Sequence, residues 1–182
     1  AFIIGRMADI PWSFTAHGSD LHRDQAMLRE KVAEAAFVVT ISEYNKHFIL
    51  ERVGVDYADK VEVIHCGVEL ERFEQAQFAP GPLQIICVGT LHAVKGQSYL
   101  LQACALLRDR GVDFACHLIG DGPDRGKLEL QAAALGIGEF VVFHGACERE
   151  RVRALFARMH IAVAPSVPTA DGRREGIPVV LM

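Results

Sequence analysis

Short apolar runs alternate with amphipathic stretches along the 182 residues of this chain. The runs at 37–41, 61–64, 84–88, 114–119, 140–143 and 161–164 are rich in β-branched or aromatic residues, which predicts strands. Between them the apolar period changes to that of a helix. Val152, Leu155, Phe156 and Met159 stand at i, i+3, i+4 and i+7, and Leu128, Ala132 and Leu135 repeat the spacing ahead of a stop at Gly136. Leu100, Cys104 and Leu107 form a third such stripe, ending at Gly111. Strand and helix taking turns is the pattern of an α/β fold, a parallel sheet with helical crossovers. The stretch from Cys66 to Pro82 breaks the rhythm with Gly67, Pro80, Gly81, Pro82 and a charged middle, so it reads as a connection between two α/β units. The expected division is 1–70, a linker at 71–83, and 84–182, with no repeat of solenoid period and no low-complexity tract.

Composition narrows the class. Hydrophobic residues at 51% and charged residues at 23% are the balance of a globular chain that can bury a core. A net charge of -4 lacks the cationic excess that a nucleic-acid partner requires. Five cysteines, odd in number and without a C-x-x-C pair, suggest neither a disulfide framework nor a zinc knuckle, and a reducing cytoplasm is the simplest location. No apolar run approaches the length of a membrane span, and the first residues do not have the order of a signal peptide. The missing initiator methionine and the apolar stretch ending at Met182 read as truncations at both ends.

Chemistry in parallel sheets collects at the carboxyl ends of the strands, and three loops of the second unit lie there. Gly89-Thr90-Leu91-His92-Ala93-Val94-Lys95-Gly96 offers glycine for close approach of backbone to a phosphate, a lysine, and a helix start. Its spacing does not fit G-x-x-x-x-G-K-[ST], and by pattern alone a glycine turn with a solvated lysine is the favoured reading. Gly120-Asp121-Gly122-Pro123 contains G-x-G, but the third glycine is displaced to Gly126, so it reads as a tight turn feeding a helix, without chemistry. The third loop, 165–178, is long and polar. Glu175 at its end is expected at a helix amino terminus, where a carboxylate either serves a ligand site or merely stabilises the helix start.

Taken in order, Val88-Gly89-Thr90-Leu91, Val94-Lys95-Gly96-Gln97, Ile119-Gly120-Asp121-Gly122-Pro123, Phe143-His144-Gly145, Pro165-Ser166 and Glu175-Gly176-Ile177-Pro178-Val179-Val180-Leu181-Met182 resemble the carboxyl domain of family-4 retaining glycosyltransferases. Phe14-Thr15-Ala16-His17-Gly18-Ser19-Asp20, Val39-Thr40-Ile41-Ser42-Glu43 and Val63-Ile64-His65-Cys66-Gly67-Val68 are similar to the later half of that family's amino domain. The wording is nearest to members that build bacterial exopolysaccharides such as colanic acid.

The resemblance implies a GT-B fold: two facing Rossmann-like domains, both incomplete here, with the acceptor held mainly by the first and the donor nucleotide by the second. It implies a donor pocket of Gly89, Thr90, Lys95, Gly145, Ala146, Glu175, Gly176 and Ile177. In it Lys95 clamps the diphosphate, and Gly145 and Ala146 offer backbone groups to the base. His17 and Glu175 are the implied catalytic residues near the transferred sugar. Glu175 matches the first of two glutamates eight positions apart, the second falling just past Met182. Thr90 departs from the family, which has an arginine there, and Arg173 and Arg174 are candidate replacements on the diphosphate. The implied reaction moves a sugar from a nucleotide diphosphate sugar to a hydroxyl of a glycan or lipid-linked acceptor with retention, using the nucleotide sugar as substrate and no cofactor. A D-x-D sequence is lacking, which fits metal independence, and His144-x-x-Cys147 is too thin a ligand set to alter that. Peripheral association with the inner face of the membrane is a further expectation, and residues 1–182 alone are expected to be inactive. Two alternatives stay open: a nucleotide-sugar epimerase of the same architecture, and a binding scaffold without turnover, to which Thr90 gives weight.

Overall fold

The computed structural model describes residues 1–22, 25–69, 71, 80–170, 172, 174, 175 and 178–181. The chain divides into two compact units, Ala1–Gly67 with Pro168–Val179, and Val68–Val167 with Val180–Met182.

In the first unit the order is α1 (Phe2–Ala8), β1 (Ser13–Ala16), α2 (Gly18–His22), α3 (Leu28–Glu34), β2 (Phe37–Thr40), α4 (Glu43–Val53), a 3₁₀ turn at Val55–Lys60, and β3 (Val61–Val63). The three strands are parallel in the order β1-β2-β3, with Ala16 opposite Thr40 and Val38 opposite Val61. Helices α3 and α4 supply the crossovers that parallel pairing demands. The core forms where Val32, Ile49 and Val53 from these helices meet Ala16, Val38 and Val61 from the strands. Trp12 closes one end: it stacks on Phe14 at 5.7 Å, and Gly5 of α1 leaves it the space that any Cβ would take. Lys60 ties α3 into this unit, its ammonium donating to the carbonyls of Ala33 at 2.6 Å and Ala35 at 3.0 Å, where helix carbonyls lack partners.

The second unit runs β4 (Leu83–Val88), a 3₁₀ turn at Ala93–Lys95, α5 (Gln97–Asp109), β5 (Phe114–Ile119), α6 (Arg125–Ala134), a 3₁₀ turn at Gly138–Phe140, β6 (Val141–Gly145), α7 (Arg149–Phe156) and β7 (Ile161–Ala162). All four strands are parallel, in the order β6-β5-β4-β7. Ile85, Cys87, Cys116 and Leu118 face α5 and α6, packing on Leu101, Cys104, Leu128 and Ala132. Ile86 and Ile119 point the other way, towards Val152, Leu155 and Phe156 of α7 and towards Met159. A sheet covered on both faces needs apolar residues at successive positions, and that is why β4 and β5 read as continuous runs.

Two strand expectations shift by more than one residue. The run at 140–143 begins as a strand at Val141 and continues to Gly145, because Phe140 turns inward to stack on Phe114 at 5.0 Å and a bulge between Leu118 and Ile119 carries the pairing onward. The run at 161–164 narrows to Ile161–Ala162, an edge strand, with Val163 N–H still donating to Ile86 O at 2.8 Å. None of the five cysteines is in a disulfide; Cys116 is pushed up by its hydrogen bond to Cys104 and by burial, so this core thiol acts as a packing group.

Replacing Lys60 with methionine keeps the stem and removes the donor. Lys60→Met is expected to lower unfolding stability by about 2 kcal/mol, the worth of a charged hydrogen bond. A urea midpoint unchanged from wild type would show that the two carbonyls gain nothing from the cap.

Candidate functional site

The strand order of the second sheet sets the place. Moving from β4 to β5 to β6 the chain steps one way; from β6 it returns through α7 to pair β7 on the opposite edge of β4. The reversal lies between β4 and β7, and outside the carboxyl ends of such strands a parallel sheet leaves a crevice. Two loops meet there: 89–96 after β4 and the segment after β7, joined by Val167 N–H donating to Val94 O at 2.9 Å. Gly96 sits at their contact. It has a left-handed backbone, φ 68°, and a Cβ on it would collide with the carbonyl oxygen of Pro165.

The neighbouring loops are stitched to this one through main-chain hydrogen bonds. Gly89 N–H donates to Ile119 O at 2.9 Å, Leu91 N–H to Asp121 O at 3.0 Å, Asp124 N–H to Leu91 O at 3.1 Å, and Gly120 N–H to Gly145 O at 2.8 Å. Glycine is required at Gly120, whose Cβ would run into Gly89 O. The Gly120–Asp124 turn is thus a structural clasp: Asp121 also takes the Gly122 N–H on its carboxylate at 2.8 Å.

Lys95, half-buried, ends the short 3₁₀ turn and lies one residue before the left-handed N-cap of α5. Its stem runs along Gly89, with Cδ and Cε each 3.5 Å from where a Cβ of Gly89 would stand. Thr90 is exposed, and its carbonyl is held by the buried Gln97 amide at 3.1 Å. Gly145 ends β6 and Ala146 is exposed just beyond it. Gly89, Thr90, Lys95, Gly145 and Ala146 therefore share one end of one sheet, with a helix start among them. The sequence reading passed over Arg125, the first residue of α6, whose Nη1 lies 3.4 Å from the Cβ position of Gly145. Nothing in its spacing singles it out, since it follows the turn as any solvated helix residue does.

His17, Arg174 and Glu175 belong to the first unit. His17 is exposed at the carboxyl end of β1, its carbonyl accepting Leu21 N–H at 3.2 Å as α2 begins. Thr40 Oγ donates to Ala16 O at 3.2 Å, tying the ends of β1 and β2 together beneath it. Arg174 donates to the Tyr44 hydroxyl at 2.9 Å. Glu175 is half-buried, and the expected helix start is not there: 174, 175 and 178 are irregular, followed by one 3₁₀ turn at Val179–Leu181. Arg173, Gly176 and Ile177 lie outside the described residues.

Beside α4, His22 stands edge-on to Phe48 at 4.3 Å; burial lowers its pKa, Asn45 opposes this, and Arg174 and Arg52 lower it further. Among the described residues His22 Nε2 and the Asn45 side-chain amide are buried beside each other without a well-formed hydrogen bond. Among the described residues no group of three His, Cys, Asp or Glu is placed to hold a metal, and no helix is long and apolar enough to cross a membrane.

With this geometry in place, the resemblances to known proteins become specific. The fold is shared with glycosyltransferase structures: the chain superposes on Anabaena Alr3699/HepE, solved in complex with UDP, with a TM-score of 0.77 at 21% identity, covering 98% of this chain and 52% of that one. Residues 69–182 match the family described as glycosyl transferases group 1, and the chain belongs to that family. It is 34% identical to the protein named as the colanic acid biosynthesis glycosyltransferase WcaL of Escherichia coli (strain K12), over 73% of this chain and 33% of that protein. It is 29% identical to the amylovoran biosynthesis glycosyltransferase AmsK of Erwinia amylovora, over 91% of this chain and 42% of AmsK. The chain thus spans between about a third and a half of the length of these relatives.

A histidine pair crosses the second sheet. His117 Nε2 faces Gln84 Oε1 at 2.9 Å, while Gln84 Nε2 donates to Pro82 O at 3.1 Å, which assigns His117 Nε2 as a donor. Its Nδ1 must then accept from His144 Nε2–H, 2.9 Å away. Burial lowers the pKa of both rings, with His144 and Arg158 adding to the effect on His117 and Arg151 to that on His144. A folded-state pKa below the unfolded value means that the unfolded chain binds more protons on acidification, so stability is fully present above about pH 6.5 and falls as pH drops towards the lowered values. His117→Gln is expected to flatten this acid-side decline in a series of urea melts from pH 7 to pH 5. An unchanged slope would exclude the pair as its source.

Proposed function

We propose that the protein carrying this chain is a family-4 retaining glycosyltransferase, moving a sugar from a nucleotide diphosphate sugar to a hydroxyl of a glycan or lipid-linked acceptor. The observation that carries this reading is the placement of Lys95 and the start of α5 at the strand-order reversal between β4 and β7. A diphosphate leaving group gains negative charge in the transition state, and a fixed ammonium and helix-end N–H groups stabilise it there without reorganising. An acceptor entering on the leaving-group face needs no protein nucleophile, and with no D-x-D in the sequence the reading includes no metal. The second unit would take the donor, with Gly145 and Ala146 towards the base, and the first unit the acceptor. His17 and Glu175 would serve the transferred sugar. The names of the relatives support exopolysaccharide assembly, which points to the cytoplasm or the inner face of the membrane as the place of work.

Thr90 favours one second reading, a scaffold that binds nucleotide sugar without turnover, because the resembled family places a cation there. Arg174, a candidate replacement for that cation, donates to the Tyr44 hydroxyl through Nη1 alone. A sugar-transfer assay on the complete protein with donor and lipid-linked acceptors separates the two: product supports the enzyme, whereas nucleotide binding without product supports the scaffold.

Lys95→Ala is expected to weaken donor binding by ten- to a hundredfold, about the worth of a charged hydrogen bond, while His17→Ala changes it by less than about twofold. Equal donor affinities for the two variants, measured by calorimetry, would overturn these role assignments.

A further inference from the structure

The guanidinium of Arg125 is held at the crevice end of the second sheet by a contact that uses only part of it. Nε donates to Glu129 Oε1 at 2.9 Å, one turn further along α6. That bond fixes the guanidinium plane and leaves Nη1 and Nη2 without an acceptor among the described residues, Nη1 beside Gly145. An exposed i,i+4 pair contributes only about 0.3–0.5 kcal/mol, so the pair alone gives little reason for this position. Gly145 adds a second observation: it ends β6 with φ 71°, and a Cβ there would stand 3.4 Å from Nη1, so the bare backbone leaves the fork room at the strand end.

We infer that Arg125 is a specificity-determining residue that reads the nucleobase of the donor. The inference rests on the reading of the second unit as a nucleotide-sugar site. Lys95 lies at the end of β4 and Arg125 at the end of β6, with β5 between them. Two strand spacings, about 10 Å, separate those ends, which suits a diphosphate at one and its base, across a ribose, at the other. A guanidinium donates in a planar fork and accepts nothing. Its partner must therefore be an acceptor edge: guanine offers O6 and N7 side by side and uracil its carbonyls, whereas adenine sets the N6 amino donor beside N1 and N7, where it opposes a second N–H.

The test is calorimetric titration of UDP, GDP, ADP and inorganic pyrophosphate into wild type, Arg125→Ala, Arg125→Lys and Lys95→Ala. Wild type is expected to bind UDP or GDP at least about tenfold tighter than ADP, the worth of one charged hydrogen bond. Both Arg125 variants are expected to lose that preference and to bind pyrophosphate as wild type does, because lysine keeps the charge but not the fork. Lys95→Ala is expected to weaken all four ligands together. Equal binding of the three nucleotides by wild type, full retention of the preference by either Arg125 variant, or a parallel loss of pyrophosphate binding in Arg125→Ala would each overturn the inference and leave the donor site standing. Failure of wild type to bind any nucleoside diphosphate would remove the donor-site reading itself, and this inference with it.

Discussion

Gly120 has no room for a side chain, because the carbonyl of Gly89 occupies the place, and Gly96 has none because the carbonyl of Pro165 does. These two approaches of backbone to backbone govern the crevice end of the second sheet. Loops that meet through side chains can slide by a rotamer. Loops that meet through main-chain groups, as Gly89 with Ile119, Leu91 with Asp121 and Gly120 with Gly145, are positioned to within a hydrogen bond's tolerance. The consequence falls on Lys95: its stem lies on Gly89, which is fixed to β5, and its backbone leads into the N-cap of α5. A long, flexible cation binds a ligand better when its entropy is removed in advance, and here the scaffold removes part of it.

The first unit is organised differently. Its sheet has three short strands, and polar groups are worked into its core: Thr40 is fully buried and bonded to Ala16, while Asn45 is fully buried beside His22 without a well-formed bond among the described residues. Buried polar atoms without well-formed bonds are destabilising, so the corner formed by His22, Asn45, Tyr44 and Phe48 carries a desolvation cost. Such groups are tolerated where they serve a site or meet water. Arg174 joins the same corner through Tyr44, which draws the segment next to Glu175 onto α4.

How far these features could be read in the sequence depended on burial. β4 and β5 were legible almost to the residue because both faces are covered, giving apolar runs that no loop imitates. β1 was not, since Ser13-Phe14-Thr15-Ala16 is four residues with only Ala16 buried, too short for a period of two to establish itself. α4 was missed for want of a clear apolar stripe, although its start carries a signal: Ser42 accepts Asn45 N–H at 3.2 Å, the N-cap arrangement that serine before a helix commonly makes. In the candidate site the loops were legible and their contacts were not. Gly96 and Pro165 are 69 positions apart, and no local pattern says that one must be glycine because the other passes over it.

Thr90 is where the sequence departs from its family's pattern, and the structure gives the departure a physical meaning. An arginine there would place a second cation on the loop that already carries Lys95. With threonine, the position contributes its carbonyl to Gln97 and exposes a small hydroxyl instead. On the proposed reading, the electrostatic work that the described residues do at the strand-order reversal falls to the Lys95 ammonium and the start of α5. A site with one charge fewer binds a diphosphate less tightly in the ground state and in the transition state alike. Uniform loss of that kind raises KM before it lowers kcat. If the protein is the transferase proposed above, threonine at this position is compatible with turnover so long as Lys95 and the helix start remain where the glycine contacts hold them.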